Sequence, residues 1–202
     1  MTDSLPRATT NHSRFALLIE RYLIRPVDNV TEQLGRAVAW LTILMALMTF
    51  ILVFVRYVLK LNSIALQESV VYMHCLVFLL GIGFTLKANE HVRVDIFYRN
   101  FSEQKKAWID CIGSIIFLLP ICAFLFFISF GFVAGSWQNL EGSSEAGGIP
   151  AVFLLKTLIP LTAITAGLQG ISLTLRNILF LIYPHQFTSA NSINHKIDEP
   201  AL

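Results

Sequence analysis

The sequence predicts an all-α membrane protein with four transmembrane helices, an N-terminal amphipathic helix at the interface, and both termini in the cytoplasm. Three observations carry this. The 202-residue chain is 55% hydrophobic and only 14% charged, with a mean hydropathy of +0.65, whereas soluble domains average about 25% charged. Four apolar runs are each long enough to cross the ~30 Å hydrocarbon layer, which takes ~20 helical residues. Lys and Arg are spread unevenly over the segments between those runs, and such residues are retained on the cytoplasmic side. The apolar runs show none of the alternation of barrel strands.

The first element is residues 14–30, where Phe15, Leu18, Ile19, Tyr22 and Leu23 are interspersed with Arg14, Glu20, Arg21 and Arg25. This pattern is too charged to span and suits a helix lying in the headgroup layer. The flanking tails, 1–13 and 187–202, are polar. The first transmembrane helix is expected over about 37–60. It starts only after Arg36, is longer than the apolar core of a secretory signal, and has no small-residue cleavage site, so it should remain in the mature protein. The second is expected over about 65–87, the third over about 108–136 and the fourth over about 151–183. The last two exceed a perpendicular span and contain Pro120 and Pro160, so tilt, a kink or extension beyond the membrane is expected. The whole chain, 1–202, then forms a single domain.

Orientation follows from the flanks. Arg7, Arg14, Arg21, Arg25 and Arg36 precede the first span, and Lys87, Arg93, Arg99, Lys105 and Lys106 lie between the second and third. The opposite face carries Arg56, Lys60 and Lys156, with Glu141 and Glu145 in the loop "QNLEGSSEAGGIP". The charged central segment "KANEHVRVDIFYRNFSEQKKAW" is thus a cytoplasmic topology anchor. The net charge of +2 is too small to indicate a nucleic-acid partner.

A search for chemistry finds no nucleophile beside a base, no paired carboxylates and no metal spacing. Cys75, Cys111 and Cys122 lie in or beside apolar runs without a CxxC, and read as inert buried thiols. His74 stands alone inside a span, where bis-histidine haem ligation needs a second at similar depth, and it reads as a lone buried polar residue. Glu68 is the informative residue, because an ionisable group in a span is costly unless paired or functional. Arg56 lies six residues before Asn62 and Glu68 six after it, so the two reach similar depth on adjacent antiparallel helices and are expected to pair, with Lys60 as the other available base. Gly131 and Gly135 form a GxxxG, and Gly81 and Gly83 thin the second span, either of which lets another helix approach closely. Gln169 and Arg176 are polar positions of the fourth span, Arg176 close enough to its end to snorkel. No enzymatic activity, metal or cofactor is expected.

Several stretches carry a family resemblance: "RY" at Arg56 and Tyr57, "ALQE" ending at Glu68, "FLLGIGFTLKANEHVRVDIFY" from Phe78 to Tyr98, "KAWIDCIG" from Lys106, "FLLP" ending at Pro120, and "SWQNLEGSSEAGGIPAVFLLKTLIP" from Ser136 to Pro160. Together they resemble the DctQ-like small permease subunit of tripartite ATP-independent periplasmic (TRAP) transporters, in the branch associated with mannitol, chloroaromatic or 2-oxo acid uptake. "SVVYMH", Ser69 to His74, departs from that pattern. The resemblance implies a non-catalytic scaffold in the bacterial inner membrane. Its partners would be a large permease holding the substrate and sodium sites, a periplasmic substrate-binding protein, and membrane lipids. It also implies that His91, Arg93 and Asp95 fix the central loop against headgroups or the partner. The loop from Glu141 to Pro150, with Glu141 and Glu145, is expected to help receive the binding protein. The alternative is a membrane anchor for a redox enzyme, which would want a second intramembrane histidine or a quinone-binding polar cluster. A self-sufficient channel would want an internal repeat, and none is present.

Overall fold

The computed structural model describes residues 16–88 and 101–184, and all of its regular structure there is helical. Four long helices follow one another: α1 Ala16–Tyr57, α2 Ile64–Lys87, α3 Glu103–Gln138 and α4 Val152–Ile182. Each is long and apolar enough to cross a membrane, so the chain is a multi-pass membrane protein. They alternate in direction, so the start of α1, the end of α2, the start of α3 and the end of α4 share one end of the bundle, here the terminal end. The α1–α2 and α3–α4 connections share the other, the hairpin end.

The amphipathic N-terminal stretch is helical, but it does not form a separate element. It runs into the first span as one helix of 42 residues, about 63 Å at 1.5 Å per residue. Pro26 does not break it. A single π turn, Glu20–Ile24, stands just before the proline, and the Arg25 N–H donates five residues back to the Glu20 carbonyl. A proline has no N–H to give, and its ring crowds the carbonyl four residues back; the wider turn accommodates both. The device recurs in α3, where the π turn Ser114–Leu118 stands just before Pro120 and Leu119 donates to the Ser114 carbonyl. α3 therefore continues past Pro120 as one helix. Pro160 sits inside α4 without a π turn, beside an outward-facing apolar groove lined by Phe126, Phe130, Trp137 and Leu161.

The helices pack in the order α1, α2, α4, α3, with the N-terminal part of α1 also reaching α4. α4 is the element that touches the other three. Between Leu158 and Leu179 its buried face is small or polar: Thr162, Ala163, Ala166, Gln169, Gly170, Ser172, Thr174 and Asn177. Between lipid-bathed helices there is no hydrophobic gain from hiding a leucine, so close backbone approach and hydrogen bonding decide which face turns inward. Gly83 of α2 illustrates this, since a Cβ there would stand 3.7 Å from the Thr165 carbonyl oxygen of α4. At Gly35 of α1 the ring of Phe84 occupies the space a side chain would need. Gly131 and Gly135, in contrast, face open space, so no helix among the described residues uses that GxxxG. The outward faces of α1 and α3 are large and apolar, with Phe50, Phe54, Phe117, Phe124 and Phe127 among the exposed side chains.

Candidate functional site

Polar side chains gather in two clusters, one at each end of the bundle. At the terminal end the centre is Asp28 of α1, which is buried. Its Oδ1 accepts from Gln169 Nε2 at 3.0 Å and from Ser172 Oγ at 3.0 Å, and its Oδ2 pairs with the Arg176 guanidinium. Thr31, one turn on, donates to Gln169 Oε1 at 2.8 Å. Gln169 has no solvent exposure, yet its oxygen accepts and its nitrogen donates, so its burial leaves no polar atom stranded. The Asp28 backbone carbonyl accepts from Lys87 Nζ at 3.0 Å, and the same ammonium reaches Glu32 at 3.0 Å. Glu32 also pairs with Arg36. The first, second and last helices are thus joined at one end by a network in which every charge has an opposite.

Below it, Ile24, Ala16 and Leu179 form a small core with Ile19, Leu175 and Tyr183. The apolar face of the amphipathic stretch is therefore spent, at least in part, on α4. Arg176 does not simply snorkel, because Asp28 holds it.

At the hairpin end the centre is Glu68, in the first turns of α2. One carboxylate oxygen accepts from the Ser143 hydroxyl and the other from the Ile149 backbone N–H, the latter at 2.6 Å. Arg56 and Lys60 make no ion pair with it. The expected Arg56–Glu68 pair is therefore not formed, because the α3–α4 loop reaches across and fills the carboxylate first. Matched depth on one hairpin leaves the second hairpin out of account. That loop is itself ordered by backbone bonds: Ser143 N–H to the Ile149 carbonyl at 3.2 Å, and Gly148 N–H to the Glu145 carbonyl at 3.0 Å. Gly147, at φ +83°, supplies the left-handed turn that a side chain would resist.

Glu141 forms a second clasp in the same loop. It accepts from Ser136 Oγ at 2.7 Å and from Lys156 Nζ at 2.5 Å, and Lys156 also lies 4.0 Å above the Phe132 ring. The ammonium and the hydroxyl together hold the Glu141 carboxyl below the usual carboxylate range. Trp137 closes the corner, its Nε1–H donating to Thr157 Oγ1 at 2.8 Å and its ring meeting Phe153 edge-on at 4.7 Å. Glu145 lies at the tip of the loop and is exposed.

The structure thus brings Glu68 and the Glu141–Pro150 loop together, and leaves Arg56 exposed at the end of α1. His91, Arg93 and Asp95 lie outside the described residues. Cys111 and Cys122 are buried, with the Cys111 thiol 3.7 Å from the Thr174 carbonyl. His74 is not buried: it faces outward, its ring stacked 6.3 Å from Phe78 on the same helix. Asp28 and Thr31 had no distinguishing signal in the sequence except an acid four residues before Glu32, inside an amphipathic pattern that already accounted for it.

Two clasps that fasten helices and a loop, with no three His, Cys, Asp or Glu side chains converging as a metal would need among the described residues, describe a braced structure. A family model described as "Tripartite ATP-independent periplasmic transporters, DctQ component" matches residues 44–180, from the middle of the first span to the end of the last. The chain belongs to the DctQ family. No curated protein and no solved structure is matched. The match covers Glu68, the α3–α4 loop and the Gln169–Arg176 face of α4, so three of the helices that make the two clasps lie wholly or nearly wholly within the DctQ region. Asp28 and Thr31 precede it.

Proposed function

We propose that this DctQ-family chain is the non-catalytic scaffold of a sodium-coupled TRAP transporter in the bacterial inner membrane. It braces a large permease during uptake, driven by a periplasmic binding protein, of an organic acid or related solute in the mannitol, chloroaromatic or 2-oxo acid branch. One observation supports this above the others. Charged residues stop at the ends: none lies between Arg36 and Arg56, between Glu68 and Lys87, between Asp110 and Glu141, or between Lys156 and Arg176. Within that slab the hydroxyls of Thr162, Thr165 and Thr174 return to carbonyls of their own helix. A transport path would want polar groups at the midplane open to a solute; here the clasps lie at the ends and fix helices against each other.

In this reading Arg56, Glu68, His91, Arg93 and Asp95 are structural or partner-contacting residues, and the loop carrying Glu141 and Glu145 helps to receive the binding protein. Glu141 is committed to Lys156, so Glu145 is the carboxylate at the tip that remains for such a contact. Reconstituted alone in liposomes under a sodium gradient, the chain is expected to accumulate no solute. The same vesicles with the large permease and the binding protein added should accumulate it, and uptake by this chain by itself would sink the scaffold reading.

A further inference from the structure

The two turns at the hairpin end differ in kind. The tip of the α3–α4 loop, Ser144 to Gly147, is exposed and small or acidic, as suits water. The α1–α2 corner is exposed over the whole of Arg56–Asn62, and there Tyr57, Val58, Leu59 and Leu61 are between 53% and 73% exposed around the charges of Arg56 and Lys60. Neither cation has an ion-pair or hydrogen-bond partner for its side chain among the described residues, since Glu68, the carboxylate at matching depth, is filled by Ser143 and Ile149. The Leu61 N–H closes the end of α1 by donating to the Val55 carbonyl at 3.2 Å, and this turn holds Lys60 in the left-handed region at φ +54°. Glycine is the usual occupant of such a position after a helix; a lysine there puts a charge where the turn itself has no use for a side chain. Depth fixes what surrounds the two cations. Arg56 follows Arg36 by 20 residues with no charge between, about 30 Å of helix at 1.5 Å per residue, which is the thickness of the hydrocarbon layer. Arg56 therefore stands at the hydrocarbon edge and Tyr57 to Leu61 in the headgroup layer, where aromatic rings and long basic side chains concentrate.

We infer that the α1–α2 corner is a binding site for an anionic phospholipid of the hairpin-end leaflet, its phosphate held by Arg56 and Lys60 and its upper acyl chains seated among the apolar side chains of the corner. The inference needs only that the chain spans a membrane and is independent of the scaffold reading. A guanidinium offers a phosphate two parallel N–H donors, and an ammonium adds a point charge. A lipid that carries its own ammonium group, such as phosphatidylcholine, brings a third cation to two that have no acid paired with them, so a headgroup of net negative charge is preferred. An acidic protein surface fits less well. It would arrive from water, and Val58, Leu59 and Leu61 would stand in water until it came, whereas the headgroup layer receives cations and apolar side chains together.

The test uses the full chain in phosphatidylcholine nanodiscs that contain a minor fraction of photoreactive phosphatidylglycerol or, for comparison, of photoreactive phosphatidylcholine, with the adducts located by peptide mass. Phosphatidylglycerol should label residues 56–62 well above phosphatidylcholine. Arg56→Gln and Lys60→Gly should each lower the phosphatidylglycerol yield there by about fivefold, the contribution of one basic side chain at an anionic membrane surface, and the double variant should fall to the phosphatidylcholine yield. Arg21→Gln, at the other end of the bundle, should leave it unchanged. In lipid-free detergent Lys60→Gly should melt no lower than the wild type, because glycine suits the turn, and Arg56→Gln should melt with the wild type, which separates a lost lipid from a lost fold. Equal labelling by the two lipids, or phosphatidylglycerol labelling that survives the double variant, would overturn the inference. So would loss of the adduct to excess inorganic phosphate, which would make free phosphate the ligand. A corner that neither lipid labels would overturn it as well, placing the turn clear of the bilayer and leaving an acidic protein surface as its partner.

Discussion

Glu68 shows how a single charge near the membrane edge is held. The sequence located it correctly as a carboxylate that needs partners and misjudged which, because a hydroxyl and a backbone N–H sixty residues or more away are invisible to spacing along one hairpin. Ser143 and Ile149 act as two hydrogen-bond donors to an ionised acceptor, which are the stronger kind of hydrogen bond. Glu68→Ala should therefore lower the melting temperature and loosen the α3–α4 loop, seen as faster amide exchange at Ile149. Arg56→Ala should leave both unchanged, and the double mutant should behave as Glu68→Ala does; a non-additive cycle would restore the Arg56 pair. Glu141 gives a pH dependence with a definite sign. Its folded pKa lies below the unfolded value because Lys156 and Ser136 favour the anion. Its contribution is thus complete above the ordinary carboxylate pKa and fades as pH falls through the depressed one. Unfolding followed from neutral to acid pH should show the wild type losing stability through that range, and Glu141→Gln should flatten this part of the profile while lowering stability at neutral pH.

At the scale of elements, the four spans were legible because length and apolarity alone require a helix in lipid, where every backbone group must bond within its own segment. Their ends were less so. The helix bounds depend on how prolines are absorbed, and the two π turns that carry α1 past Pro26 and α3 past Pro120 have no composition of their own. The union of the amphipathic stretch with the first span was likewise hidden, since Leu18, Tyr22 and Leu23 still face outward, as a helix in the headgroup layer would have them, and only Ala16, Ile19 and Ile24 pack with Leu179 of α4. What decides the matter is Asp28, which fastens α1 to Gln169, Ser172 and Arg176. Removing one member of a buried pair strands the other, at about 3–5 kcal/mol. Asp28→Leu should fall near the lower end, because Arg176 keeps part of its surface toward the terminal end. Arg176→Met in the same chain should recover part of the loss, and a second mutation that adds in full would show that the two side chains do not act as a pair. The readout is thermal unfolding of the chain in detergent, followed by the loss of helical signal.

For the whole molecule the decisive quantity is the imbalance of positive charge between its ends. The terminal end carries Arg21, Arg25, Arg36, Lys87, Lys105, Lys106 and Arg176, and the hairpin end Arg56, Lys60 and Lys156. Much of this charge is paired in the folded bundle, as Arg36 and Lys87 are with Glu32 and Arg176 is with Asp28. Insertion, however, is decided while the helices are still entering the membrane, before those pairs form, and acids count for little in that choice. The terminal end should therefore face the cytoplasm although much of its positive charge is paired once the bundle has folded. The prediction separates a kinetic cause from an equilibrium one. With the native cysteines replaced, a single cysteine at Ser144, which is exposed and outside the Glu68 clasp, should react with an impermeant reagent added to intact cells, and one at Ser102 should react only after the membrane is opened. Removing Asp28 and Glu32 together, which raises the net positive charge of that end, should leave this pattern unchanged. Replacing Arg21, Arg25 and Arg36 with uncharged residues should let a fraction of the chains insert the other way round, so that Ser102 begins to label from outside; a pattern that ignores those three arginines would mean that folding, and not the count of positive charges, fixes the orientation.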